Sequence, residues 1–115
     1  MARILFVDGE PHIRLLCREE LQEEGYEVQV AGSGQEVVRL VESFHPDVVI
    51  LEMWLPDVWG MEMGRIVKGT DQKTRLIYFT HSQPPRDPSV WGADAFVLKS
   101  PDLEGLKQTV RRLLS

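Results

Sequence analysis

Four short apolar runs are each followed at once by residues whose side chains can act on phosphate or on a metal ion. Ile4-Leu5-Phe6-Val7 leads into Asp8-Gly9-Glu10, Val48-Val49-Ile50-Leu51 into Glu52, Leu76-Ile77-Tyr78-Phe79 into Thr80-His81, and Phe96-Val97-Leu98 into Lys99-Ser100. Carboxylates so placed can hold a hard cation such as Mg²⁺ through oxygen. A hydroxyl can bond a transferred phosphoryl oxygen, and a lysine can neutralise it. The set suits phosphoryl chemistry, provided that the fold gathers residues 8, 52, 80 and 99 in one place.

For that to happen the apolar runs must be strands of one sheet. Each is too short for an ordinary helix and rich in β-branched or aromatic types, which predicts strands buried on both faces. The segment 26–31 alternates in polarity and reads as an edge strand with one wetter side. Between these runs the period becomes helical: Ile13, Leu16, Cys17 and Leu21 share one face, as do Val37, Val38, Val41 and Phe44, and later Leu103, Leu106, Val110, Leu113 and Leu114. The punctuation agrees. Pro11 suits a first helical turn, Gly25 a helix end, Ser33-Gly34-Gln35-Glu36 a capping box, and Ser100-Pro101 an N-cap followed by proline at the first helical position. A weaker helix covers about 60–68, interrupted by Gly64. The stretch 82–91, broken by Pro84, Pro85 and Pro88, reads as a loop with room for a short helix at most.

Strand and helix therefore alternate, which predicts an α/β fold: a doubly wound parallel sheet with helices on both faces and right-handed crossovers. Ligands of such sheets bind beyond the carboxyl ends of the strands, near the point where strand order reverses. Asp8, Glu52, Thr80 and Lys99 stand at those ends.

Composition narrows the function. With 115 residues, 43% hydrophobic and 27% charged, the chain fits one domain with a single core. A formal net charge of −5 gives no general attraction to DNA, RNA or anionic lipid, so contact with nucleic acid would fall to a partner. No apolar run approaches the roughly 18 residues of a membrane span, and the first run is too short for a signal-peptide core. The expectation is a soluble, cytoplasmic protein. Cys17 is the only cysteine, which excludes an internal disulfide and a cysteine-rich zinc site. His12, His45 and His81 are scattered singly and read as ordinary polar residues. Trp54 and Trp59 lie just after Glu52, in a loop beside the expected pocket, where large aromatics either pack or anchor a partner.

In order and at matching spacing, Ile4-Leu5-Phe6-Val7-Asp8-Gly9-Glu10-Pro11, Gly25-Tyr26-Glu27-Val28, Pro46-Asp47-Val48-Val49-Ile50-Leu51-Glu52, Leu55-Pro56 with Gly60, Thr80, Gly92-Ala93-Asp94-Ala95-Phe96 and Lys99 resemble the receiver domain of bacterial two-component response regulators. The resemblance covers essentially the whole chain, residues 1–115. It implies a flavodoxin-like sheet of five parallel strands in the order 2-1-3-4-5 and a role in phosphorelay signal transduction rather than as an enzyme. In that family a sensor histidine kinase passes a phosphoryl group to an aspartate after the third strand, beside a bound Mg²⁺. The matching positions make Asp8 a metal-binding acid, Thr80 and Lys99 the groups that grip phosphoryl oxygens, Phe96 the aromatic that turns inward on switching, and Trp54 a backbone carbonyl for the metal. The implied partners are a sensor histidine kinase or a downstream signalling protein, with the domain itself a monomer or weak homodimer. It is either a stand-alone receiver or a piece of a longer protein.

Two departures from that pattern set the functional expectation. The acceptor position holds Glu52 in place of Asp, and the place of a second metal-binding acid holds Gly9, which has no side-chain oxygen. One methylene displaces the nucleophile by roughly a C–C bond, and a misplacement near 1 Å costs transfer about 100-fold. Mg²⁺ demands near-octahedral oxygen geometry, so its binding is expected to be weak or absent, with Asp8, Glu52, the Trp54 carbonyl and Glu10 left to offer oxygens. His81 replaces a small residue and sets its bulk against the phosphoryl pocket. Together these predict a pseudo-receiver that works through protein–protein contact, in which a longer Glu52 reaching Thr80 and Lys99 would fix the switch in one state. The alternatives are a phosphorylation-competent receiver using Asp8 or Glu52 and, more remotely, a haloacid-dehalogenase-like phosphatase, whose first motif wants Asp where Glu10 stands. Plainer readings exist residue by residue: Asp8 and Lys99 as a buried ion pair, Thr80 as a loop cap, Phe96 as core.

Overall fold

The computed structural model describes residues 1–83 and 86–115; Pro84 and Pro85, part of the predicted loop, lie outside the described residues. In chain order the elements are β1 (Arg3–Val7), α1 (Pro11–Glu23), β2 (Glu27–Ala31), α2 (Gly34–Phe44), β3 (Val48–Leu51), α3 (Gly60–Thr70), β4 (Arg75–Thr80), a 3₁₀ turn (Pro88–Trp91), β5 (Ala95–Leu98) and α4 (Glu104–Leu114). The strands form one parallel sheet in the order β2-β1-β3-β4-β5. This is the predicted doubly wound topology, and order reverses between β1 and β3, above which the site must sit.

Burial follows the runs. Every residue of β3 is buried, as are all but the first of β1 and β4, because helices cover both faces of the central strands. Alternate residues supply two cores. Leu5, Val7, Val49, Leu51, Leu76 and Tyr78 pack with Val37 and Val41 of α2 and Met63 and Val67 of α3. Ile4, Phe6, Val48, Ile50, Ile77 and Phe79 pack on the other face with Cys17 and Leu21 of α1 and Leu106 and Val110 of α4. Cys17 is 1% exposed, and burial pushes its thiol pKa up to about 12, which leaves it unreactive.

Local signals hold at several ends. Pro11 opens α1, Gly25 follows it with φ at +95°, and Ser33 Oγ accepts from the Glu36 backbone N–H at the start of α2. The return half of the predicted capping box goes elsewhere: Glu36 Oε2 accepts from the Gly32 N–H at 2.6 Å.

Three expectations are corrected. β5 is not buried on both faces: Phe96 and Val97 are half-buried and Leu98 is exposed, at the sheet edge where the order 2-1-3-4-5 puts the strand. Leu16 and Val38, placed by period on the inward faces of α1 and α2, are exposed at 44% and 42%, since the sheet accepts a narrower stripe than the sequence offers. Ser100-Pro101 does not open the last helix. Ser100 Oγ instead accepts from the Asp102 N–H in a local turn, and Asp102 Oδ1 accepts from the Glu104 N–H, where α4 begins. Burial of Leu103 in the α1 and α4 core sets that later start.

Asp94, just before β5, ties this edge to the sheet. It accepts from Lys68 Nζ at 2.7 Å and from the Leu76 N–H at 2.8 Å, with Arg75 3.5 Å away. Burial acts to raise its carboxyl pKa, but the hydrogen bonds from Lys68 and Leu76 and the two nearby cations hold it below the ordinary range. A carboxylate whose pKa is depressed on folding stabilises above its unfolded value, near 3.9, and that contribution is lost as pH falls through the folded value. Asp94→Asn is therefore expected to lower stability by about 1 kcal/mol at pH 7 and by much less at pH 2, as urea unfolding at the two pH values would record.

Candidate functional site

Backbone pairing carries the site residues one step beyond the strands. The Asp8 N–H donates to the Ala31 carbonyl at 3.0 Å, the Glu52 N–H to Val7 at 3.0 Å, and the Lys99 N–H to Thr80 at 2.9 Å. Each side chain thus leaves the same edge of the sheet in register with its neighbours. Asp8, Glu52 and Thr80 are 2%, 7% and 1% exposed, which makes their polar partners obligatory.

Those partners are one another. The Lys99 ammonium bonds both Asp8 Oδ2 and Glu52 Oε2. Thr80 Oγ1 donates to Glu52 Oε1 at 2.8 Å, and the same oxygen accepts from the Met53 N–H at 2.8 Å and the Trp54 N–H at 3.3 Å. Asp8 Oδ1 accepts from the Glu10 N–H at 2.9 Å. Every oxygen of the two buried carboxylates therefore has a protein donor. Burial acts to lower the Lys99 pKa, but its hydrogen bonds to Asp8 and Glu52 and their negative charges outweigh it and hold the ammonium above its ordinary value. The Lys99 ammonium also lies 5.8 Å from the centre of the Phe79 ring.

The four strand-end residues expected to converge do so. Phe96 sits apart from them, half-buried against the α2 and α3 core, its ring 5.6 Å from Tyr78 and 5.1 Å from Trp91. Glu10 lies exposed at the rim of an open cavity of about 630 Å³, walled by Asp8, Glu52, Trp54, His81 and Lys99. His12 and His81, scattered in the sequence, both border this cavity, while His45 ends α2 far from it in a left-handed conformation with φ at +52°. Trp54 and Trp59 face solvent, 65% and 49% exposed, with ring centres 5.9 Å apart.

Mg²⁺ needs a near-octahedral set of oxygens. These residues as arranged do not fit it. Each oxygen of Asp8 and Glu52 is already an acceptor, the charge between them is met by Lys99, and Gly9 adds no ligand. A Cβ at Gly9 would stand 3.3 Å from Pro56 Cδ, so a larger residue there requires the Pro56 ring to move by a few tenths of an ångström.

Two supporting residues escaped the sequence reading. Arg14 Nη1 donates to the Asp8 carbonyl at 2.7 Å, and its guanidinium lies over Gly32, where an added Cβ would approach Nη1 to 2.6 Å. Asp57 accepts from the backbone N–H groups of Gly34 at 2.8 Å and Gln35 at 3.2 Å, latching the loop after β3 to the start of α2. The Gly34 hydrogen bond leads in holding the Asp57 carboxyl below its ordinary pKa. Arg14 carries no local signal on the polar side of a helix. Asp57 had one, an acid after proline in a loop rich in aromatics, but its partner lies 23 residues away.

Known proteins agree with this fold. A family model described as "Response regulator receiver domain" matches residues 4–111. The transcriptional regulatory protein TrcR of Mycobacterium tuberculosis is 36% identical over 115 residues, covering 97% of this chain and 45% of TrcR. The response regulator ArlR of Staphylococcus aureus is 30% identical, covering 99% of this chain and 53% of ArlR. The chain thus spans about half the length of these relatives. Among solved structures, the response regulator protein TrrA of Thermotoga maritima in complex with Mg(2+)-BeF superposes with a TM-score of 0.90 at 40% identity, covering 98% of this chain and 99% of that one. A chain from the crystal structure of histidine kinase ThkA in complex with TrrA gives 0.91 at 41% identity, with both chains covered in full. With the sheet order, the strand-end cluster and these likenesses in agreement, the chain belongs to the response regulator receiver domain family.

Proposed function

We propose that this receiver domain acts in two-component signalling as a pseudo-receiver, a cytoplasmic binding module that carries its state in protein contacts and not in a phosphoryl group. The supporting observation is the occupancy of the Glu52 carboxylate: Thr80 donates to one oxygen and Lys99 to the other. The hydroxyl and the ammonium that would grip a transferred phosphoryl group are thereby engaged by the residue standing at the acceptor position. Glu52 in this arrangement holds the switch in one state. The mimicry is partial in charge, since a phosphoryl group brings about −1.5 to −2 and three acceptor oxygens where a carboxylate brings one charge and two oxygens. Weak or absent Mg²⁺ binding belongs to the same reading. No catalytic turnover is assigned to the domain. The partner class is a histidine kinase, as TrrA has in its complex with ThkA, or a downstream signalling protein.

Incubation with acetyl phosphate and Mg²⁺, followed by intact mass measurement, tests the proposal. The expected result is an unchanged mass for the native protein. A stable gain of one phosphoryl group on Asp8 or Glu52 would overturn it. The paired variants Glu52→Asp and Gly9→Asp/Glu52→Asp are expected to bind Mg²⁺ more tightly in that order, the second by at least tenfold over the native protein, because each restores a carboxylate geometry that the metal demands.

A further inference from the structure

The mouth of the carboxylate cavity has a feature that phosphoryl chemistry does not use. Trp54 and Trp59 stand side by side on the loop after β3, the first mostly and the second about half in water, although large aromatic rings gain more than most side chains from burial. The loop holds them there firmly. The two residues pair as an antiparallel bridge, the Gly60 N–H donates to the Met53 carbonyl at 2.6 Å, and Asp57 is latched to α2. Gly60 leaves no slack, since a Cβ there would lie 2.3 Å from the Glu52 carbonyl oxygen. The exposed pair is therefore already organised, and a partner seated on it would have little ordering cost to meet.

Trp54 is at once a member of this pair and a wall of the cavity. At the floor of that cavity two carboxylates, Asp8 and Glu52, share one ammonium, Lys99, and a third, Glu10, stands exposed at its rim. An aromatic face beside excess negative charge attracts a cation, and a guanidinium suits both at once. It stacks on indole and offers several donors to the exposed Glu10 carboxylate, while its charge is drawn by the two buried carboxylates behind.

We propose that the Trp54–Trp59 pair and the adjoining cavity form one docking surface for an arginine-bearing segment of a partner protein, with the aliphatic part of the segment on the indoles and the guanidinium turned toward Glu10 and the buried carboxylates. This rests on the pseudo-receiver reading, because a phosphorylated or metal-filled cavity would compete for the same space. The surface would let the domain recognise a partner through the pocket that its relatives are expected to use for phosphate.

The test is titration of the ¹⁵N-labelled protein with a blocked tripeptide, acetyl-Ala-Arg-Ala-amide, beside its Lys and all-Ala counterparts, followed through the indole N–H signals of Trp54 and Trp59. The expected result is saturable shifts of both signals with the arginine peptide, weaker ones with lysine, none with alanine, and a decline with added salt. Trp54→Ala and Glu10→Gln, both at exposed positions, are expected to weaken binding about threefold to fivefold each while the remaining spectrum stays folded. Indifference of the indole signals to the arginine peptide, or an equal response to all three peptides, would overturn the proposal. So would a dimer, seen by sedimentation, that Trp54→Ala abolishes, because the surface would then belong to a second copy of the chain. Failure here with an unphosphorylated protein removes the docking surface alone, whereas phosphoryl labelling removes the reading beneath it.

Discussion

Lys99→Met is expected to destabilise the domain by about 3–5 kcal/mol at neutral pH, enough to unfold much of the population of a protein of ordinary stability. The substitution keeps a long apolar stem but removes the one ammonium shared by Asp8 and Glu52. Two carboxylates that are 2% and 7% exposed would then confront each other with only hydroxyl and backbone donors. Adding Asp8→Asn to Lys99→Met removes one of the two unpaired charges and is expected to recover part of the loss, and urea unfolding at pH 7 would separate this from simple repacking. No recovery in the double variant would show that Lys99 matters through its packing. The native protein has the complementary behaviour in base. Because the Lys99 pKa is raised on folding, its contribution is complete below the unfolded value near 10.4 and is lost as pH rises through the folded one. Alkaline unfolding that ignored the Lys99→Met substitution would contradict the triad.

Gly64→Ala is the second large effect, expected at about 2–3 kcal/mol, and it should be largely reversed by Tyr78→Phe. A Cβ at Gly64 would lie 2.3 Å from the Tyr78 hydroxyl oxygen and 3.0 Å from Leu76 Cδ2, in a part of the core where both side chains are fully buried. The Tyr78 hydroxyl has no hydrogen-bond partner among the described residues, and burial pushes its pKa up to about 12. Removing it deletes an unsatisfied polar atom, so Tyr78→Phe alone is expected to be neutral or stabilising by about 1 kcal/mol. The double variant should then sit near the native stability, and the coupling read from the four proteins should exceed 1 kcal/mol in about the manner of contacting residues. Additive effects would mean that α3 meets β4 through other atoms. The same aromatic ring abuts Phe96 and Trp91, so this contact also bears on how Phe96 packs.

The positions of the strands, the alternation of elements and the convergence of residues 8, 52, 80 and 99 were legible in the chain because each depends on a pattern within a few residues. An apolar run buried on both faces, a polar residue at its end and a helical period after it are local signs. The rule that parallel strands present their carboxyl ends to one side then turns four local signs into one site. Even the departures that shape the proposed function, Glu52 and Gly9, are single letters at recognisable positions.

What tertiary structure alone decided were the partners. The Asp8–Lys99 pair and the reach of Glu52 to Thr80 and Lys99 stood as separate readings of the sequence; the fold alone shows one ammonium serving both carboxylates across 91 positions, with a donor for every carboxylate oxygen. The latch from Asp57 to α2, the support of the Asp8 carbonyl by Arg14, and the place of His12 at the cavity have the same character. So do the partial exposure of β5 and the late start of α4, where packing at the sheet edge and the burial of Leu103 override apolar content and a serine–proline signal. Periodicity is written along the backbone, but hydrogen bonds and ion pairs between distant segments form only once packing has brought them within a few ångströms, and that distance is a property of the folded whole.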